Sequence, residues 1–317
     1  MYNSFISVVH VLHYPHEVAQ LPAYLTSVYS VLAENFSDFE VILVNNHTGE
    51  NPDSGIAALP ADLKQHVYLL NLSSKVDRNH AILAGLDRAN GDYTVIFEPE
   101  FARQPGIIVD LFEKTREHFD IVYLRARNRK TRLAVRWLYT LFYAILKRYS
   151  SLRIDDKAHD TRIISRRALN SLLKLRENLR YMKAIYSIVG YNTTFIETDE
   201  PLIRNGEESF SEKFRTSLVA ITSFTTFLNT LLLWIFLISL CFLIYVAVDA
   251  LKVKFTGYDV FGNAQTALSG WTYLVMLISI FFAVTCLNLY LMSIYLSNIY
   301  HEIKKRPLYI IESIKRF

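Results

Sequence analysis

The chain has 317 residues, enough for a domain of catalytic size and something more, with 51% hydrophobic residues, 20% charged residues and a formal net charge of +4. Its mean hydropathy of +0.18 is high for a soluble protein, and the apolar excess is concentrated toward the C-terminus. Cys241 and Cys286 both lie in that apolar part, which excludes a disulfide framework and a cysteine-based zinc motif.

Residues 5–12 (Phe-Ile-Ser-Val-Val-His-Val-Leu) read as a first strand. Residues 18–35 carry helical periodicity through Leu21, Leu25, Val28, Val31 and Leu32. Residues 40–45 form a second strand ending in the polar turn 45–49, and residues 67–71 a third. Residues 77–89 read as a helix capped by Asp77. Residues 93–97 are a β-branched and aromatic run, the pattern of a strand buried on both faces. Pro99 lacks an N–H and ends that strand within Glu98-Pro99-Glu100. A helix over 105–118 and a strand over 121–124 follow. Strands alternating with helices predict a mostly parallel sheet in a doubly wound α/β domain.

Glu98 and Glu100 thus stand just beyond a strand's carboxyl end, where open α/β sheets bind ligands. One residue separates them, so both can reach one cation bridging the phosphates of a nucleotide; a solvated acidic turn is the other reading.

Residues 125–153 hold nine basic and no acidic side chains around an aromatic stretch with Trp137, Tyr139, Phe142 and Tyr143. This pattern predicts a helix over 131–153 lying in a membrane interface; a core helix with a basic surface is the alternative. Nucleic acid is set aside, because lipid headgroups are the nearer anionic partner. Residues 155–162 are dense in groups capable of proton transfer, Ser165 begins a capped helix, 192–197 form a strand, and 201–209 a polar loop. Residues 218–248 and 264–300 contain no charged residue, and each is long enough to cross a bilayer. No signal peptide is read at the N-terminus. Lys213 and Arg215 before the first span, and Lys304, Lys305 and Arg306 after the second, place both termini and the α/β domain in the cytoplasm at the inner membrane, with the loop outside.

At this point the chain resembles the membrane-anchored family 2 glycosyltransferases that move a sugar from a nucleotide to polyprenyl phosphate, the dolichyl-phosphate mannose synthase relatives and the bacterial GtrB-type enzymes. Residues 80–92 are similar to the family's helix and turn before its DxD strand, and 158–167 to its G-D-F-R-L-x-x-R-R segment. Residues 201–209 resemble its R-x-x-G-x-S loop, and 299–310 its tail after the last span. The departures cluster on the donor side. P-x-Y-N-E is replaced by His10-Val-Leu-His-Tyr14, D-D-G-S by Asn45-Asn-His-Thr48, DxD by Glu98-Pro-Glu100, and R-N-x-G by Lys75-Val-Asp-Arg78.

The resemblance implies a GT-A nucleotide-sugar domain over 1–130, the interface helix over 131–153, and an acceptor-side part over 154–216. Spans over 217–249 and 270–300 flank an external loop over 250–269, and 301–317 form a basic cytoplasmic tail. It further implies an inverting transfer from a UDP-sugar to undecaprenyl or another polyprenyl phosphate, used for O-antigen or other cell-envelope glycans. Asp160 and Glu100 are the implied catalytic residues. His10, Leu12, His13, Asn45, Asn46 and Glu98 would bind the donor, and Arg162, Arg204 and Ser209 the phosphate or acceptor. Glu98 and Glu100 would hold Mg²⁺ or Mn²⁺, and a homo-oligomer is implied, with a tetramer as one form. Two other readings stay open: an inactive relative that scaffolds a partner at the membrane, and the same fold with another nucleotide donor or lipid acceptor.

Overall fold

The computed structural model describes residues 1–127, 129–130, 140, 144–145, 148–149, 155, 157–175, 182–203, 227–264, 270–303 and 307–317. Most of the 131–153 segment, Arg204, Ser209, Lys213, Arg215 and Lys304–Arg306 lie outside them.

The chain opens with β1 (Tyr2–Leu12), α1 (Pro15–Asn35), β2 (Phe36–Asn45), α2 (Asp53–Ala57), α3 (Ala61–Lys64), β3 (Val67–Leu72) and α4 (Arg78–Arg88). It continues with β4 (Tyr93–Ile96), a 3₁₀ turn (Pro99–Phe101), α5 (Ile107–Thr115), β5 (Ile121–Ala126) and β6 (Arg129–Lys130). Then come β7 (Ala158–Ser165), α6 (Arg166–Lys174), α7 (Met182–Ile188), β8 (Thr193–Thr198), β9 (Leu202–Ile203), α8 (Phe227–Thr256), α9 (Gly270–Ile303) and β10 (Ile311–Arg316).

An eight-stranded sheet in the order β10-β3-β2-β1-β4-β7-β5-β8 organises the α/β part. Strands β3, β2, β1 and β4 pair in parallel, as do β5 and β8, whereas β7 runs antiparallel to β4 and β5, and β10 antiparallel to β3. Strand alternation divides the core. Ile6, Val8 and Leu43 point to the face that packs with Leu21, Leu25 and Val28 of α1 and Leu111 of α5. Val9, Val11 and Val44 point to the other, against Ala81, Ala84 of α4 and Leu169 of α6. Caps fix two helix starts: Asp77 Oδ1 accepts from the Asn79 N–H at 2.8 Å, and Ser165 Oγ from the Ala168 N–H at 3.5 Å.

Two elements depart from the sequence expectations. Residues 158–165 form a central strand, although their charged side chains hide any apolar period. Residues 311–316 form a strand that covers the β3 edge, which leaves less unpaired backbone there. Asn71 donates to Ser313 Oγ at 3.0 Å, Tyr309 hydrogen bonds to Asp87, and Lys315 pairs with Asp53.

The chain divides into two compact units, one of residues 1–140, 152–207 and 305–317, the other of 141–151 and 208–304. In the second, α8 and α9 are long and apolar enough to cross a membrane, with mean hydropathies of 2.9 over Thr230–Val253 and 1.8 over Ile280–Ser297. Their large apolar side chains, such as Trp234, Phe236, Ile238, Phe282, Leu289 and Leu296, face outward.

Candidate active site

The ends of β1, β2, β3 and β4 and the start of β7 meet along one edge of the sheet. The register sets this: Val9 lies opposite Ile96, Leu12 opposite Asn45, and Ile96 opposite Arg162. Antiparallel β7 therefore brings His159 and Asp160 beside Glu98, at the edge where parallel strands present ligands.

Glu98 is tied to β7. Its Oε2 accepts from the Asp160 N–H at 3.0 Å, the Thr161 N–H at 3.1 Å and the Thr161 hydroxyl at 3.4 Å. The Glu98 N–H in turn donates to Thr161 Oγ1 at 3.0 Å. Oε1 faces the Arg78 guanidinium, with Nη2 3.6 Å away. Burial raises the Glu98 carboxyl above its ordinary range; Asp160 and Glu100 push the same way, while Arg78 and His159 oppose them. His159 is buried, its Nδ1 3.9 Å from Glu98 Oε2 and its ring edge-on to Phe101. Glu100 is exposed on the 3₁₀ turn.

Arg78 opens α4, just past β3. Burial works to lower its pKa, but Glu98, Asp160, Glu17 and Glu100 together hold it raised. Sequence reasoning placed residues 75–78 at the donor side without assigning Arg78 a role. The available signal was a basic first helical residue directly after the helix cap Asp77, in the short loop-to-helix turn that follows a strand.

The donor-side residues form an interlocked shell. His10 is buried; its Nδ1 lies 3.1 Å from the Phe97 carbonyl, and its ring stacks on Tyr24 at 4.2 Å. Burial lowers its pKa to about 4. Leu12 is fully buried. Asn46, also fully buried, accepts from the Val76 N–H at 2.9 Å and donates to the Val76 carbonyl at 2.8 Å and to His13 Nδ1 at 2.7 Å. That last bond makes Nδ1 an acceptor and fits a neutral ring; burial first, then Lys75 and Arg78, lower the His13 pKa. Asn45 donates to Asn71 Oδ1 at 3.0 Å and accepts from Thr48. Glu17, which sequence reasoning did not single out, seals the turn after β1 by accepting from the His13 and Tyr14 N–H groups at 2.6 and 3.0 Å. Asn45 and Asn46 thus knit the ends of β2 and β3 and the 75–77 loop together.

Arg162 differs most from its expected role as a phosphate ligand. It is 3% exposed, its guanidinium lies 3.8 Å above the Tyr186 ring, and it donates to the carbonyls of His159 at 2.8 Å and Asp160 at 3.1 Å. A cation held this way fixes the backbone that carries Asp160. Arg204 and Ser209 lie outside the described residues.

Mg²⁺ and Mn²⁺ take several oxygen ligands in close array. Among the described residues, no group of three or more His, Cys, Asp or Glu side chains is arranged to hold a metal. Glu98 commits one oxygen to three donors and faces a guanidinium with the other. Only Glu100 of the expected pair is exposed, and Arg78 already sets positive charge against Glu98 Oε1. These side chains by themselves do not fit a divalent ion.

Residues 19–173 match the family model described as Glycosyl transferase family 2. The sequence is 28% identical over 284 residues to a glycosyltransferase of Synechocystis sp., covering 87% of this chain and 85% of the relative. It is 28% identical over 294 residues to the SfII prophage-derived bactoprenol glucosyl transferase of Shigella flexneri, covering 88% and 89%. Among solved structures, glucosyl-3-phosphoglycerate synthase from Mycobacterium tuberculosis, in complex with Mn²⁺, UDP and glucosyl-3-phosphoglycerate, aligns with a TM-score of 0.43 and 15% identity, over 69% of this chain and 78% of that one.

Proposed function

We propose that this chain, a glycosyltransferase built on a family 2 domain with a GT-A-like fold, moves a sugar from a nucleotide sugar, a UDP-sugar first among them, to undecaprenyl or a related polyprenyl phosphate. The observation that carries the reading is the junction of Glu98 and Asp160. The loop after β4 and the start of β7 are hydrogen bonded into one edge, so donor-side and acceptor-side groups share a site. Likeness along most of the chain to a protein named for bactoprenol supports the lipid acceptor.

In this reaction a phosphate oxygen of the lipid forms a bond to C1 of the sugar. The bond from C1 to the donor's phosphate oxygen breaks, and its electron pair leaves with the nucleoside diphosphate. Attack from the opposite face inverts the configuration. The acceptor is already an anion, so the protein must orient it more than deprotonate it. Asp160 is the group for that orientation, its backbone held by Glu98 and Arg162. The leaving diphosphate needs positive charge, which a side chain or a nucleotide-borne Mg²⁺ or Mn²⁺ can supply.

Helices α8 and α9 are read as a membrane hairpin. The chain leaves the α/β unit after residue 207 and returns at 305, and two crossings bring it back to the same side. Together with the flanking basic residues, this supports a cytoplasmic catalytic unit with both termini inside. A homo-oligomer, with a tetramer as one form, remains part of the reading.

The test is transfer by the purified full chain in detergent, with polyprenyl phosphate and a panel of labelled nucleotide sugars, wild type beside Asp160→Asn. A lipid-linked product that fails in the variant supports the enzyme. No product with any donor, while an active relative works alongside, favours the scaffold reading.

A further inference from the structure

We infer that Arg78 is the protein's own counter-charge for the donor's diphosphate, so that a nucleoside diphosphate binds here without a divalent cation. The inference rests on the nucleotide-sugar reading above and specifies what that site uses.

Three observations point to it. First, the guanidinium is charged, held and incompletely used. Its Nη2 lies 3.6 Å from Glu98 Oε1, an ion-pair distance beyond a good hydrogen bond, and its enclosed Nε has no hydrogen-bond partner among the described residues. A buried N–H without an acceptor is costly unless something else accepts from it. Second, the position is right for a phosphate. Arg78 is the first residue of an eleven-residue helix that begins at the carboxyl edge of the parallel strands, where the helix dipole adds to the positive field. Third, the carboxylate expected to recruit a metal is otherwise engaged. Glu98 Oε2 accepts from Asp160 and Thr161, and a divalent ion at Oε1 would sit against the guanidinium.

A guanidinium fork matches phosphate oxygens through two parallel N–H donors. Here Nε–H is unspent, and Nη2 of the same edge is engaged only by Glu98, at 3.6 Å. A diphosphate arriving at this edge would accept from Nε. Glu98 would stay on β7, keep Arg78 in place and balance its charge when the site is empty. The counter-charge a metal supplies elsewhere would then come from a residue fixed by the fold.

Equilibrium binding of UDP, with GDP beside it, to the full chain in detergent tests this in excess EDTA and again with added Mg²⁺ or Mn²⁺. Binding of one nucleotide in EDTA is expected. Arg78→Ala should weaken it about tenfold to a hundredfold, the range for losing a charge-assisted hydrogen bond. Arg78→Lys, which keeps the charge but loses the fork, should fall between. Unfolding midpoints show whether each variant is folded; if the alanine variant is not, the lysine variant decides. Binding that requires added metal, or that Arg78→Ala and Arg78→Lys leave unchanged, overturns the inference alone. Absence of binding by both nucleotides under every condition overturns the nucleotide-sugar reading with it.

Discussion

The Asp160 backbone N–H donates to Glu98 Oε2 at 3.0 Å, so the residue expected to bind a metal is the one that positions the residue expected to meet the acceptor. Removing that carboxylate leaves the Asp160 and Thr161 N–H groups without their acceptor. Glu98→Ala is predicted to cost about 1–3 kcal/mol of stability, and Glu98→Gln less, because the amide oxygen can still accept. Denaturant unfolding in EDTA checks this. Unchanged stability of the alanine variant would mean that the carboxylate does not hold β7.

Arg162 is predicted to position rather than bind. Arg162→Lys keeps a charge but loses the plane stacked on Tyr186, and one of its two carbonyl contacts. It should lower stability by about 1–2 kcal/mol and reduce kcat, with little change in KM for the lipid phosphate. A large rise in KM at unchanged stability would instead make Arg162 an acceptor ligand.

Gly91 is a packing position. A Cβ there would stand 2.7 Å from the Ser7 nitrogen and 2.8 Å from the Phe5 carbonyl oxygen, both backbone atoms that cannot swing aside. Gly91→Ala is predicted to destabilise by about 1–3 kcal/mol, whereas Gly106→Ala, where a Cβ meets nothing within 4 Å, should not show that loss. Urea midpoints of the two variants make the comparison.

His10 predicts a pH dependence. Burial lowers its pKa from 6.5 to about 4, so it is neutral in the folded protein over a range where the unfolded chain takes up a proton. The unfolded state binds more protons there, so this contribution is fully present above about 6.5, declines as pH falls, and is gone below about 4. His10→Phe, which fills the place beside Tyr24 without titrating, should flatten the slope of stability against pH across that window. An identical slope in the variant would remove His10 as its source.

The C-terminal strand is predicted to act as an edge cover. Deleting residues 311–317 bares the β3 edge and removes the contacts of Ser313 and Lys315. A lower unfolding midpoint and greater self-association by light scattering are expected. A truncated protein as stable and monodisperse as the full chain would show that β10 is dispensable to the sheet.

The sequence by itself determined the parts whose information is local. Apolar runs at 5–12, 40–45, 67–71 and 93–97, with helical periods between them, were enough to place four parallel strands and α1 and α4, because burial on both faces writes itself into composition. Asp77 and Ser165 announced their helices, since a cap acts within one turn. Length and the absence of charge marked α8 and α9, and the order of motifs pointed to a resemblance to family 2 glycosyltransferases. Only the tertiary structure decided what the polar residues do. Strand β7 pairs across 62 positions from Glu98 to Asp160, and nothing local in Ala158–Ser165 reveals such a partner. The same holds for Asn46 against Val76, Arg162 over Tyr186 and Arg78 facing Glu98. A charged or amide side chain can bind a ligand or satisfy the backbone. Which of these it does depends on the donors and acceptors that folding brings within about 3 Å of it, and those come from distant parts of the chain.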